Sequence, residues 1–194
     1  MDQEAVLNEF RTAGALLEGH FLLSSGLHSP VYLQCAKVLM DPNRAGKLCK
    51  AFAEKLEETG IKVDMVVSPA MGGVIVGYEV ARQLGVPSVF CERVDGEFAL
   101  RRGFEIPEGA KILMMEDIIT TGLSSRECIK TIGAWGGTVV AAGCLINRSG
   151  GTAEVGAPIT ALATIDAPTY QSGELPDAMK AITAIKPGSR GMKA

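Results

Sequence analysis

Ile112-Leu-Met-Met-Glu-Asp-Ile-Ile-Thr-Thr-Gly122, continued by Leu123-Ser124-Ser125, sets the reading of the rest of the chain. Residues 112–115 are an apolar run, closed by two acids and followed by a turn rich in hydroxyls and glycine. Short apolar runs that end in turn signals suit buried strands of a parallel sheet. The turn opens a predicted helix. Its backbone N–H groups and the hydroxyls of Thr120, Thr121, Ser124 and Ser125 can therefore surround an anion. The positive end of the helix adds to that attraction. Glu116 and Asp117 stand oddly beside such a site, since carboxylates repel phosphate. They make sense for a ligand with vicinal hydroxyls or a metal ion beside its phosphate, as a phosphorylated sugar has. The plainer alternative is a strand followed by a capped helix of unknown purpose.

Strands and helices alternate outward from this stretch. Ala5, Val6, Phe10, Ala13, Leu16 and Leu17 predict a helix over 3–17, stopped by Gly19. Phe21 to Gln34 reads as a strand pair around Ser-Ser-Gly. Asp41 caps a helix that has Pro42 at its first position and Gly60 just past its end. Asp64–Ser68 is a strand, Gly72-Gly73 leads into a helix ending at Gly85, and Ser88–Glu92 is a further strand. A charged segment, 93–110, follows and reads as a loop; after it come the 112–115 strand and a helix over 123–134. Val139–Ile146 and Ile159–Ile165 complete the strands. The pattern predicts an α/β fold, a parallel-sheet core flanked by helices, with binding loops at the carboxyl ends of strands. Residues 1–194 are expected to form a single domain, with about 1–40 and the C-terminal tail as a small hood over the site.

Composition narrows the class. Hydrophobic residues make up 47% of the 194 and glycine 23 positions, which argues against disorder. The formal charge of −3, without a long charge run, argues against a nucleic-acid or membrane partner. Cysteines at 35, 49, 91, 128 and 144 lack C-x-x-C spacing and read as reduced, mostly buried thiols of a cytoplasmic protein. No run approaches the roughly 18 apolar residues of a membrane span, and the first residues lack a signal-peptide pattern.

The 112–125 stretch resembles the phosphoribosyl-diphosphate (PRPP) signature of type I phosphoribosyltransferases. The resemblance implies that Glu116 and Asp117 hold the ribose hydroxyls, and that Ile118, Ile119, Thr120, Thr121, Gly122, Leu123 and Ser124 cradle the 5′-phosphate. Leu123 stands where many members have a second glycine; its backbone N–H survives. The loop Ser68-Pro-Ala-Met-Gly-Gly73 matches the pyrophosphate loop, so Met71, Gly72 and Gly73 join the PRPP set. Many orotate-specific relatives have lysine where Gly72 stands.

Gly19-His-Phe-Leu-Leu-Ser-Ser-Gly-Leu-His-Ser-Pro-Val-Tyr32 resembles the N-terminal signature of orotate phosphoribosyltransferases. By that likeness Ser25, Gly26, Tyr32 and Leu33 bind orotate together with Thr120, while Ser24 stands where relatives often carry lysine. Cys144-Leu-Ile-Asn-Arg-Ser-Gly-Gly151 brings Arg148 to the position of the family's base-binding arginine. The tail Ile185-Lys-Pro-Gly-Ser189 is similar to theirs as well. In these enzymes a loop at the place of 93–110 closes over the neighbouring subunit's site, which implies a homodimer. The family's Lys-x-x-x-His pattern is missing there. Arg93, Arg101 and Arg102 are expected to stabilise the leaving pyrophosphate instead, with Asp117 as the other catalytic group.

The implied reaction transfers ribose 5-phosphate from PRPP to orotate in pyrimidine (UMP) biosynthesis, giving orotidine 5′-monophosphate and pyrophosphate. The implied cofactor is Mg²⁺, held mainly through PRPP rather than by a protein cage. Two rivals remain at this stage: a purine phosphoribosyltransferase sharing the PRPP signature, and a non-catalytic PRPP or nucleotide sensor. Residues 19–32 favour orotate over purine; against a sensor, no basic DNA-reading helix appears. Neither His20 nor His28 is assigned a role.

Overall fold

Strands almost devoid of polar side chains lie side by side at the centre of the molecule. The computed structural model describes residues 1–23 and 25–187. Its elements are α1 (Gln3–Thr12), β1 (Leu16–Leu22), β2 (His28–Leu33), α2 (Ala36–Leu39), α3 (Pro42–Glu58), β3 (Met65–Pro69) and α4 (Gly72–Leu84), followed by β4 (Ser88–Val94), β5 (Glu97–Leu100), β6 (Lys111–Ile119), α5 (Leu123–Ala134), β7 (Thr138–Asn147), β8 (Ile159–Thr164) and α6 (Asp177–Lys180). The main sheet runs β5-β4-β3-β6-β7-β8, and β1 pairs with β2 in a separate hairpin. Every neighbouring pair in the main sheet is parallel except β4 with β5.

Side-chain alternation along β6 sorts the two faces of this sheet. Leu113 and Met115 join Phe10, Leu48, Phe52 and Val76 in one core, whereas Ile112 and Met114 join Cys128 and Ile132 in the other. Helices α1, α3 and α4 thus cover one face and α5 the other. Helix α3 starts where its residues require: the Asp41 carboxylate accepts from the N–H groups of Asn43 at 2.9 Å and Arg44 at 3.4 Å, and Pro42 occupies the first turn. From β3 the chain crosses through α4 to β4 on one side; from β6 it crosses through α5 to β7 on the other. The crevice between those diverging crossovers opens at the carboxyl ends of β3 and β6, the usual ligand position in open α/β sheets.

Two expectations from the sequence need correction. The first helix ends at Thr12, not at residue 17. Gly14 turns the chain at φ 62°, and Leu16 and Leu17 start β1 opposite Leu33 and Tyr32. A pair of leucines fits a helical stripe and a strand alike, and here the cross-strand pairing takes them. The 93–110 segment is also not a loop throughout. Asp95 and Gly96, at φ 51° and 92°, make a two-residue turn that folds β5 back onto β4 and extends the sheet. Only 101–110 connects without regular structure.

The chain's last described residues return to the β1–β2 hairpin. The Ile185 N–H donates to the His20 carbonyl and the Leu22 N–H to the Ile185 carbonyl, each at 2.8 Å. Tyr170 and His28 exchange backbone hydrogen bonds at 2.9 Å in both directions. Ser24 and residues 188–189 of the tail motif lie outside the described residues.

Candidate functional site

The end of β6 carries both acids. Glu116 is only 9% exposed and its Oε2 accepts a hydrogen bond from the Ser125 hydroxyl on α5. Burial pushes its pKa up to about 7; the Ser125 hydroxyl works against that rise and the Asp117 charge adds to it. Asp117 is raised in the same direction by burial, opposed by the Ile118 N–H that donates to its Oδ1 at 2.9 Å. Two carboxylates in one crevice, one of them buried and kept near neutrality, signal a binding site rather than a structural pair. Ser125 corrects an expectation. Fully buried and engaged with Glu116, its hydroxyl does not face an anion beside Thr120, Thr121 and Ser124.

The turn from β6 into α5 is held from outside by a residue the sequence reading passed over. Arg126 Nη1 donates to the carbonyls of Thr121 at 3.0 Å and Glu154 at 2.7 Å. Nothing in the spacing singled it out, because its partners are backbone oxygens from a distant loop. Gly122 adopts φ 73°, and a Cβ there would stand 2.7 Å from Val155, so only glycine passes between the turn and that loop. Leu123 begins α5, and its N–H reaches Thr121 Oγ1 at 3.4 Å.

Across the crevice lies the β3–α4 loop. A Cβ on Gly72 would stand 2.8 Å from Asp117 Oδ1, and one on Gly73 would stand 2.9 Å from the Met115 carbonyl. The missing side chain at 72 therefore makes room for the Asp117 carboxylate. Gly72→Ala is expected to displace that carboxylate, with the thermal midpoint nearly unchanged. A crystal structure of the variant beside a melting curve checks this; an unmoved Asp117 side chain would show that the loop yields instead.

A cavity of about 950 Å³ opens next to this turn. Ser25, Tyr32 and Leu33 of the hairpin line it, with Thr120, Thr121 and Arg148. Residues far apart in the chain that were expected to share a ligand thus share one hollow, Gly26 excepted. Gly26 sits in the hairpin turn at φ 84° and is not on the cavity wall. The sequence reading also missed Glu154, Ala167, Thr169 and Lys186 on that wall. Arg148 is half-buried; its Nη2 donates to Ser29 Oγ at 3.1 Å while its buried Nε–H has no partner. Burial pulls its pKa below the usual guanidinium value. A desolvated guanidinium with an unused donor is a ready partner for an anion.

Arg93, Arg101 and Arg102 are not brought to this cavity. Arg93 pairs with Glu127, donates to the Gly96 carbonyl and stacks 4.3 Å over Phe98. Arg102 makes a two-pronged bond to Glu92 at 2.8 and 2.9 Å. Arg101 is exposed and has no ion-pair partner among the described residues. Also among the described residues, no three His, Cys, Asp or Glu side chains cluster as a metal cage.

Known proteins resemble this chain in sequence and in fold. The phosphoribosyl transferase domain family matches residues 37–174. An orotate phosphoribosyltransferase of Phenylobacterium zucineum is 59% identical over 193 residues, spanning 100% of both chains. One from Caulobacter vibrioides is 56% identical, again over 100% of both. Among solved structures, the orotate phosphoribosyltransferase of Aeropyrum pernix superposes with a TM-score of 0.69 at 23% identity, covering 82% of this chain and 93% of that one. The adenine phosphoribosyltransferase of Thermoanaerobacter pseudethanolicus gives 0.59 at 21% identity, over 70% and 88%. The fold is thus common to enzymes named for different bases.

Proposed function

We propose, from the premise that this chain belongs to the orotate phosphoribosyltransferases of the phosphoribosyl transferase family, how its crevice divides the work of that reaction. The enzyme transfers ribose 5-phosphate from PRPP to orotate, releasing pyrophosphate and forming orotidine 5′-monophosphate in pyrimidine biosynthesis. One observation carries the assignment of roles: the hairpin, Thr120 and Arg148 enclose a single cavity beside the acids and the 120–124 turn. In this reading the turn holds the 5′-phosphate through backbone N–H groups and the hydroxyls of Thr120, Thr121 and Ser124. Glu116 and Asp117 hold the ribose diol, and Met71, Gly72 and Gly73 border the pyrophosphate. Ser25, Tyr32, Leu33 and Arg148 hold the base, the guanidinium meeting its carboxylate or ring oxygen.

Cleavage of the anomeric bond leaves positive charge on the ribose and negative charge on pyrophosphate. The acids favour the first, and fixed cations must meet the second. Magnesium would be held mainly through PRPP, with Glu116 and Asp117 at the nearby strand end, and would supply a template and a Lewis acid. Arg93, Arg101 and Arg102 serve the leaving group from a second copy of the chain. An exposed apolar patch supports such a homodimer. Met71 is 85% and Tyr78 67% exposed, with exposed Ile75 between them at helical spacing on α4. Residues 1–40 and the tail act as a hood on this single domain. A cytoplasmic location suits five unpaired, buried cysteines. No described helix is long and apolar enough to cross a membrane.

The direct test is orotate consumption with PRPP and magnesium against a panel of other bases; turnover of adenine in place of orotate would overturn the base assignment. Arg101→Ala is expected to lower kcat at least about tenfold, roughly 1.4 kcal/mol of barrier, in a protein that stays folded. Mixing Arg101→Ala with Asp117→Asn subunits should restore part of the rate, because some mixed dimers contain one intact site. Absence of any recovery would place the arginine and the acid in the same subunit's site.

A further inference from the structure

We propose that Lys186 is a specificity-determining cation for the base, held at the cavity by the returning C-terminal segment. The proposal rests on the orotate reading above. Lys186 lines the same cavity as Ser25, Tyr32 and Arg148. Its position is fixed by its neighbours. Ile185, immediately before it, is bonded through both its N–H and its carbonyl to β1, at His20 and Leu22. Three residues earlier, the Ile182 carbonyl lies 2.8 Å from Nδ1 of His20, a side chain only 5% exposed.

A carbonyl can only accept, so His20 Nδ1 carries the proton and its Nε2 is left to accept in the neutral ring. His28 Nδ1 stands 2.7 Å from that Nε2 and donates to it. His28 is in turn bonded through its backbone to Tyr170, so both strands of the hairpin anchor the returning chain. The ordered pair of imidazoles therefore has a structural task, and the residue it brings to the cavity is a lysine.

Arg148 and Lys186 stand on that wall, with Glu154 as the one acidic residue lining it among the described residues. Arg126 also lines the cavity, but its Nη1 is committed to two backbone carbonyls that fix the phosphate turn. Lys186 follows Ile185, which pairs with Phe21 of the hairpin, and Arg148 reaches the same hairpin from the end of β7 through Ser29. A planar base bearing a carboxylate gains from two cations. A neutral base of the same shape gains little from either.

The test uses the full-length enzyme with Lys186→Met and Lys186→Arg. Lys186→Met is expected to raise KM for orotate about tenfold, with kcat and KM for PRPP within about twofold of the unaltered enzyme. By calorimetry its preference for orotidine 5′-monophosphate over uridine 5′-monophosphate, which lacks the carboxylate, should fall by a similar factor. Lys186→Arg should restore most of both. An unchanged orotate KM in Lys186→Met would overturn the proposal, as would equal damage in Lys186→Arg or equal loss of affinity for the two nucleotides. Failure of the unaltered enzyme to use orotate at all would overturn the base reading itself, and this inference with it.

Discussion

Replacing Glu116 with Gln is expected to make the ligand-free protein more stable at pH 8, by up to about 3 kcal/mol, while weakening PRPP binding. The sign follows from the shift. The folded pKa of about 7 lies above the ordinary 4.5, so between those values the folded chain holds more protons than the unfolded one. Stability contributed by this group is therefore lost as pH rises through that window and is flat above it. Gln carries no charge to desolvate, and its carbonyl oxygen still accepts the Ser125 hydroxyl. The gain over the parent should shrink as pH falls and vanish by about pH 4, where the parent's Glu116 is protonated whether folded or not. Denaturant melts at several pH values check this. Parallel pH dependences of parent and variant would mean that Glu116 is not held near neutrality. Gain in stability with loss of ligand affinity is what a site selected for binding should show.

Arg148→Met is expected to cost about a hundredfold in kcat/KM for orotate, near 3 kcal/mol, with PRPP affinity retained. The guanidinium has an unpartnered buried Nε–H and a single prong on Ser29, so a carboxylate would complete rather than replace its contacts. Methionine fills a similar volume, which limits packing loss. The fully buried Ser29 loses one donor but keeps the Val31 N–H at 3.3 Å, so the stability change should stay near 1 kcal/mol. Kinetics varying each substrate in turn, with PRPP binding measured by calorimetry, separates the effects. An equal rise in KM for both substrates would move Arg148 from the base to the shared framework.

Much of the architecture was legible because local chemistry and tertiary demand agree. Asp41-Pro42 starts α3 and Gly85 ends α4, where a left-handed residue closes the helix. Gly122 likewise heads α5, and the apolar run before the acids is β6. The β4–β5 hairpin was missed although its signal is present: Asp95-Gly96 between Val94 and Glu97 is a two-residue hairpin turn. The density of charge around it drew the reading toward a loop. Yet an edge strand can carry charge on its open side.

The cavity wall divides on a different ground. The chain alone determined the order of the strand end, the two acids, the 120–122 turn and the helix start, because all four lie in one contiguous stretch. Resemblance to the orotate enzymes named Ser25, Gly26, Tyr32, Leu33, Thr120 and Arg148 for one site, and all but Gly26 line one cavity. Only the folded structure decided that Ser125 serves Glu116, that Arg126 pins the turn, and that Gly72 leaves room for Asp117. Likewise only the fold decided that Lys186 reaches the cavity. Each of these depends on which surfaces the packed sheet brings within a few ångströms. Such contacts join residues distant along the chain and leave no periodicity in the sequence to read.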